Sequence, residues 1–273
     1  MTLEDLYRRG LVLLGCGKMG SAMLEGWMAG GLPAGSVWVV DPHPSEWLCS
    51  RAGDGVHLND DFPENPAIVL LAVKPQLMED ALPQVARFGG GGTLFISIAA
   101  GKTLAYFAGR LGRGTPIIRS IPNTPAAVGR GITGLIGNGE VRESHLRLAE
   151  TLLSSIGQSV RLDDESQMDA VTAVSGSGPA YVFYLIEALA AAGEAQGLPP
   201  AMALKLARAT VAGAGHLAEQ ASEDPAQLRV NVTSPGGTTA AALEVLMDAE
   251  TGFAPLLRRA VAAATDRGRE LGR

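Results

Sequence analysis

The sequence predicts an α/β fold: a doubly wound, largely parallel sheet over residues 1-163, followed by an all-α half over residues 164-273. Three observations predict it. From Leu11 onward, short apolar runs recur at helix-sized intervals, as strands buried on both faces require. Beyond Asp163 the apolar period becomes helical and the texture alanine-rich. No repeat or flexible linker separates the halves, so the boundary is a change of period.

The opening "MTLEDLYRRG" lacks the apolar core of a leader and reads as a short helix or arm feeding the first strand. "LVLLG", "VWVVD", "AIVLLAV", "TLFISIA" and "PIIRSIP" are strands, with "GITGLIG" and "QSVRLD" extending the sheet. "SAMLEGWMAGG" is the first crossover helix. In the second half, "AYVFYLIEALAAAGEAQG" ends at Gly197 as a C-cap, and prolines open the helix that follows. "DPAQLRVNV" starts with a cap and first-turn pair, and "TTAAALEVLMDA" and "APLLRRAVAAATDRGRELG" complete the half. Small residues permit close helix approach, and the broad apolar faces suit a subunit interface as well as a core.

A net charge of -6, spread without long like-charge runs, argues against nucleic acid or an anionic membrane as partner. Any anionic ligand must be held by local devices. Cys16 and Cys49 are too few for a disulfide framework and lack metal-ligand spacing, so a reducing cytoplasm is the expected compartment and no metal is expected. No apolar run reaches spanning length.

"LVLLGCGKMGSAMLEGW" places Gly15, Gly17 and Gly20 in a G-x-G-x-x-G pattern between a strand and a helix. That context predicts Rossmann-type dinucleotide binding. The first glycine makes the turn, the second admits a pyrophosphate to the backbone, and the third lets helix pack on strand. Asp41, closing "VWVVD", is the acidic residue expected beyond such a loop. Its carboxylate would accept the ribose hydroxyls and repel a 2'-phosphate, which favours NADH. A turn residue or helix cap is the competing reading for Asp41, and His43, Ser45 and Arg51 leave NADPH open. Lys74 and Pro75 in "AVKPQ" sit at a strand's carboxyl end, where ligands of open sheets bind. Lys74 is therefore a candidate to face cofactor or substrate, against the reading of a solvated turn lysine. Ala99 and Ala100 in "SIAAG" would let a nicotinamide lie against the backbone.

Two further loops precede helices: Ser175, Gly176, Ser177 and Gly178 before Pro179, and Ser234, Pro235, Gly236, Gly237, Thr238 and Thr239 before "AAALEVL". Seryl caps and open amides make both anion-receptive helix starts. Either alone reads first as an ordinary cap or a close helix crossing. Together they suggest a small acid gripped by N–H groups. His43, His57, His145 and His216 show no triad or relay pattern. Hydride addition to a protonated C=N, which needs little acid-base help, fits that absence.

Taken in order, "GCGKMG", "AVKPQ", "SIAAG", "RSIPNTPAAVGRG", "AVSGSGPAYVF" and "VNVTSPGGTTAAALE" resemble the pyrroline-5-carboxylate reductases over essentially the whole chain. The resemblance implies reduction of 1-pyrroline-5-carboxylate to L-proline with NADPH or NADH, the last step of proline biosynthesis. It also implies a homodimer with interleaved C-terminal helices and assembly to a decamer. For the cofactor it implicates Gly15, Cys16, Gly17, Lys18, Met19, Gly20, Asn59, Ala72, Val73, Lys74, Pro75, Ile98, Ala99 and Ala100, with Asn231 reaching a cofactor on the partner subunit. For the substrate it implicates the loop from Ser234 to Thr239 and the "SGSGPAY" segment. Thr239, whose hydroxyl meets the ring nitrogen, and Lys74 are the catalytic candidates. The family leans towards NADPH, whereas "DPHPS" and Asp41 lean towards NADH.

Two rivals remain. A β-hydroxyacid dehydrogenase would need a lysine four positions beyond Gly178, where the chain has Val182. A nonenzymatic dinucleotide-binding regulator would show damaged substrate loops, and these are intact.

Overall fold

The computed structural model describes residues 1–272. Two compact units form: Met1–Gly176 with the residues from Ala264 onward, and Ser177–Ala263.

The first unit is built on an eight-stranded sheet in the order β3-β2-β1-β4-β5-β6-β7-β8. In chain order the elements are α1 (Leu3–Arg9), β1 (Leu11–Leu14), α2 (Lys18–Ala29), β2 (Val37–Val40), α3 (Glu46–Gly53), β3 (His57–Leu58), β4 (Ile68–Leu71) and α4 (Met78–Ala81). There follow β5 (Leu94–Ser97), α5 (Leu104–Leu111), β6 (Ile117–Ile121), β7 (Gly131–Gly137), α6 (Glu143–Leu153), β8 (Gly157–Arg161) and α7 (Met168–Val171). Neighbours pair in parallel except β6 with β7. That exception has a local cause: β6 and β7 are joined by a short loop with no room for a crossover helix.

Strand β1 shows why the strands read as unbroken apolar runs. Leu11 and Leu13 enter one core with Met23, Leu24 and Trp27 of α2 and Leu148 and Leu152 of α6. Val12 and Leu14 point to the opposite face, into a core with Met78, Phe107 and Leu111. The expected opening helix is α1, with Thr2 and Asp5 forming a capping box. The two-residue β3, unread in the sequence, is fixed by His57 stacking on Trp38 at 4.3 Å between ring centroids.

The second unit holds α8 (Gly178–Ala195), α9 (Pro200–Gln220), α10 (Pro225–Asn231), α11 (Thr238–Leu246) and most of α12 (Phe253–Leu271). Helices α8 and α9 pack on Ala190, Ala203 and Ala207. Asp224 caps α10 by accepting the Gln227 N–H at 2.9 Å, as the Asp-Pro pair predicts. Large apolar side chains stay exposed across this unit, among them Phe183, Tyr184, Leu206, Val245 and Phe253. Among the described residues no helix is long and apolar enough to cross a membrane.

The change of period at Asp163 marks where the strands end, two residues after β8. Packing carries the first unit further, through α7 and a π-helical turn (Thr172–Gly176), and adds the end of α12, where Gly268 sits against Asp169.

Candidate active site

Strand β1 ends in the glycine loop, and each glycine has a separate duty. Gly15 has φ +88°, and a Cβ there would meet Val73 Cγ1 at 2.8 Å. A Cβ on Gly20 would lie 2.8 Å from the Gly15 carbonyl. Gly17 caps α2 without any side-chain bond, is exposed, and a Cβ on it would meet nothing within 4 Å. The loop thus presents bare backbone at a helix N-terminus, which fits a pyrophosphate. Lys18 stands exposed beside it, and Met19 packs into the core under α2.

Asp41 is tied to this loop. Its Oδ2 accepts the Cys16 N–H at 2.9 Å and its Oδ1 accepts the His43 N–H at 2.9 Å. Asn59, at φ 54°, accepts the Asp41 N–H and donates to the Asp41 carbonyl, both at 2.9 Å. Asp41 therefore has a turn-forming role, and each carboxylate oxygen keeps a second lone pair for a ligand hydroxyl. Cys16 is buried, with its Sγ 3.5 Å from Ser21 Oγ, and burial pushes its thiol pKa up. Its contribution to the loop is its amide.

The next two turns lie along the same carboxyl edge, because β1, β4 and β5 are adjacent. After β4, Ala72 and Val73 back the glycine loop, Lys74 is exposed, and Pro75 begins a 3-10 turn. After β5, Ile98 is half-buried, Ala99 buried and Ala100 exposed. The Ala99 N–H donates to Ser97 Oγ at 3.2 Å, and Ser120 Oγ donates to the Ser97 carbonyl at 3.0 Å.

The "SGSGP" segment departs from the expected form. Ser175 and Gly176 lie in the π-helical turn, and Ser175 Oγ donates back to the Val171 carbonyl at 2.9 Å instead of capping a helix. Ser177 precedes α8 without a side-chain cap bond, with Gly178 as the first helical residue and Pro179 next. The serines fail as caps because the chain is already helical before them, so Ser175 has a carbonyl one turn back to bond. Buried Asn123 holds this turn, donating to the Ser175 carbonyl at 3.1 Å and accepting the Ile132 N–H at 2.9 Å.

The "SPGGTT" loop keeps the expected open amides but not the expected seryl cap, since Gly237 and not Ser234 occupies the N-cap. Asn231 ends α10, exposed, with its Oδ1 accepting from Gln227 at 2.7 Å. Gly236 turns the chain at φ +67°, and the Gly237 N–H closes on the Ser234 carbonyl at 3.0 Å. Gly237 then caps α11 with no side-chain bond, leaving the first-turn amides open. Thr238 is exposed and Thr239 half-buried in that turn.

Arg119 and its partner Glu165 escaped the sequence reading, as did the anchoring role of Asn123. The available signal was an arginine inside the apolar run "PIIRSIP".

The first unit, with its bare glycine at a helix start and its turns along one sheet edge, defines a dinucleotide-binding protein of Rossmann type. Two family models match the chain: "Pyrroline-5-carboxylate reductase dimerisation" over residues 165–271 and "NADP oxidoreductase coenzyme F420-dependent" over residues 10–101. The pyrroline-5-carboxylate reductase of Pseudomonas aeruginosa is 39% identical, with 96% of each chain covered. The solved structure of the Coxiella burnetii pyrroline-5-carboxylate reductase superposes with a TM-score of 0.91 at 33% identity, covering 97% of this chain and 99% of that one. The Plasmodium falciparum pyrroline carboxylate reductase, solved with NADP bound, gives 0.81 at 26% identity, covering 98% and 99%. The chain belongs to the pyrroline-5-carboxylate reductase family.

Proposed function

We infer that the protein reduces 1-pyrroline-5-carboxylate to L-proline with NADPH or NADH, adding hydride to the ring C=N carbon. Family membership supports the reaction. The observation that carries the site is the start of α11, where Gly237 leaves the helix amides open to an acid and Thr239 stands in the same turn.

The Gly15 to Gly20 loop, Asp41 and Asn59, the Ala72 to Pro75 turn and the Ile98 to Ala100 turn hold the dinucleotide, which when bound supplies the hydride. Asn231 reaches a cofactor on a partner subunit. The substrate carboxylate is held on the Ser234 to Thr239 loop by the open N–H groups of Thr238 and Thr239 in the first turn of α11, a helix-terminal device that needs no basic patch. Ser175 to Gly178 form the second substrate segment. Thr239 Oγ orients the ring nitrogen, and Lys74, exposed at the carboxyl end of β4, is the second catalytic candidate. The protonated imine is itself the electrophile, so the protein's task is orientation.

The protein is a homo-oligomer, and the exposed apolar side chains of the second unit support that reading. We take the dimer to interleave its C-terminal helices, with dimers assembling to a decamer. Cys16 and Cys49 are both free, which suits a reducing cytoplasm.

The test is the loss of reduced-nicotinamide absorbance when 1-pyrroline-5-carboxylate is added to the purified protein. Turnover with either NADPH or NADH is expected; none with both cofactors would sink the reading.

A further inference from the structure

Strand β6 carries a charge at its centre. Arg119 is only 5% exposed and projects on the same side of the sheet as Ser97, its register partner on β5. Its Nη1 donates to Glu165 Oε1 at 2.8 Å. The same oxygen accepts the backbone N–H of Leu104, the first residue of α5, at 2.8 Å. Burying a guanidinium is costly unless it is paired, and among the described residues the buried Arg119 Nε has no hydrogen-bond partner. One ion pair thus secures this side chain.

The position of that pair gives it a task. Residues Ile98 to Thr103 join β5 to α5 and include Ala99 and Ala100. The near end of this turn is pinned to Ser97, whose Oγ accepts the Ala99 N–H. Its far end is held at the start of α5 by two side-chain acceptors: Thr103 Oγ1 accepting from Tyr106 at 3.1 Å, and Glu165 accepting from Leu104. The second reaches back to the sheet, because Arg119 fixes Glu165 from β6; at the near end the Ile98 N–H also bonds the Leu71 carbonyl of β4 at 3.1 Å.

We propose that Arg119 is a positioning residue of the reduction: through Glu165 it fixes the Ala99–Ala100 turn, the surface against which the nicotinamide lies. The proposal rests on the reductase reading above. Arg119 lies buried in the sheet and acts through Glu165. Its effect falls on the orientation of the reacting ring and spares the adenosine and diphosphate contacts made by the glycine loop.

The test compares Arg119→Met/Glu165→Leu, Glu165→Ala and Glu165→Gln with the wild-type full-length protein. An apolar pair in place of a buried ion pair leaves no unpaired charge, and Glu165→Ala keeps a second route open should the double variant not fold. Glu165→Gln retains an acceptor for both donors. Measured are kcat, the NADPH dissociation constant without substrate, and the isotope effect on kcat with nicotinamide deuterated at C4. For the double variant and Glu165→Ala, kcat is expected to fall about tenfold or more while NADPH affinity changes less than about threefold. The isotope effect should rise as hydride transfer becomes slower than the other steps. Glu165→Gln should recover kcat to within about threefold of wild type. Unchanged kcat in a folded variant overturns the proposal. So does a parallel loss of affinity and kcat with an unmoved isotope effect, since that is general loosening. Absence of turnover in the wild type is a separate result: it overturns the reductase reading, and the positioning role with it.

Discussion

From the end of β2, the carboxylate of Asp41 reaches the glycine loop and accepts the backbone N–H of Cys16 at 2.9 Å. The residue proposed to face the ribose of a dinucleotide therefore also shapes the glycine loop. If Asp41 selects the cofactor, selectivity and loop geometry are linked through one side chain.

That linkage shapes the outcome expected for Asp41→Ser. Removing the carboxylate should raise the NADPH to NADH ratio of kcat/KM by about tenfold, by relieving repulsion of a 2'-phosphate. KM for both cofactors should also rise, because the Cys16 and His43 amides lose their acceptors. Steady-state kinetics with each cofactor check this, and an unchanged ratio removes the selective role.

The glycines separate folding from binding. Gly15→Ala should destabilise the protein by about 1–2 kcal/mol or more, because L-residues pay that much for a left-handed backbone and its Cβ would press on Val73. Gly17 has an ordinary φ of -70° and open space around it. Gly17→Val should leave thermal stability nearly intact while weakening NADPH binding. Calorimetry alongside cofactor titration distinguishes the two; equal losses of stability would refute the division.

Thr239→Ala should lower kcat by about thirtyfold, the equivalent of a hydrogen bond to a charged group worth about 2 kcal/mol. Cofactor affinity should hold. Turnover that matches wild type would strip Thr239 of its role.

His145 gives the fold an acid-sensitive point. Its Nδ1 accepts the Arg142 N–H at 3.2 Å near the start of α6, and burial, with the nearby amino terminus and Arg142, lowers its pKa below 6.5. A depressed folded-state pKa means the unfolded chain takes up the proton first. The contribution is present above pH 6.5 and is lost as pH falls through the folded value. Urea unfolding at descending pH should show this loss, and His145→Gln, which still accepts that bond at any pH, should flatten it.

The second unit predicts concentration-dependent stability. Its buried core is little more than Ala190, Ala203 and Ala207, while Phe183 and Tyr184 are 58% and 70% exposed. The melting temperature should rise with protein concentration, as association stabilises the folded chain. Phe183→Glu should shift sedimentation towards smaller species. A melting temperature independent of concentration, with unchanged sedimentation, would contradict this.

The sequence alone determined the strands from β1 through β8 other than β3, the helical second half and the glycine loop. Each depends on local signals: apolar period, glycine spacing and cap residues within a few positions. It also placed a helix start at "SPGGTT", because proline and paired glycines are adjacent residues, but the seryl cap it expected there is replaced by Gly237. Tertiary structure decided what distant residues do to one another. Asp41 binding Cys16, Asn123 holding Ser175 and Arg119 reaching Leu104 through Glu165 each join residues far apart in the chain. The short edge strand and the π-helical turn belong here too, since stacking on Trp38 and Asn123's hold on Ser175 reach them from outside their own segments. Hydrogen bonds across a sheet edge depend on strand order, and strand order is set by packing the two faces, which no local window of sequence contains.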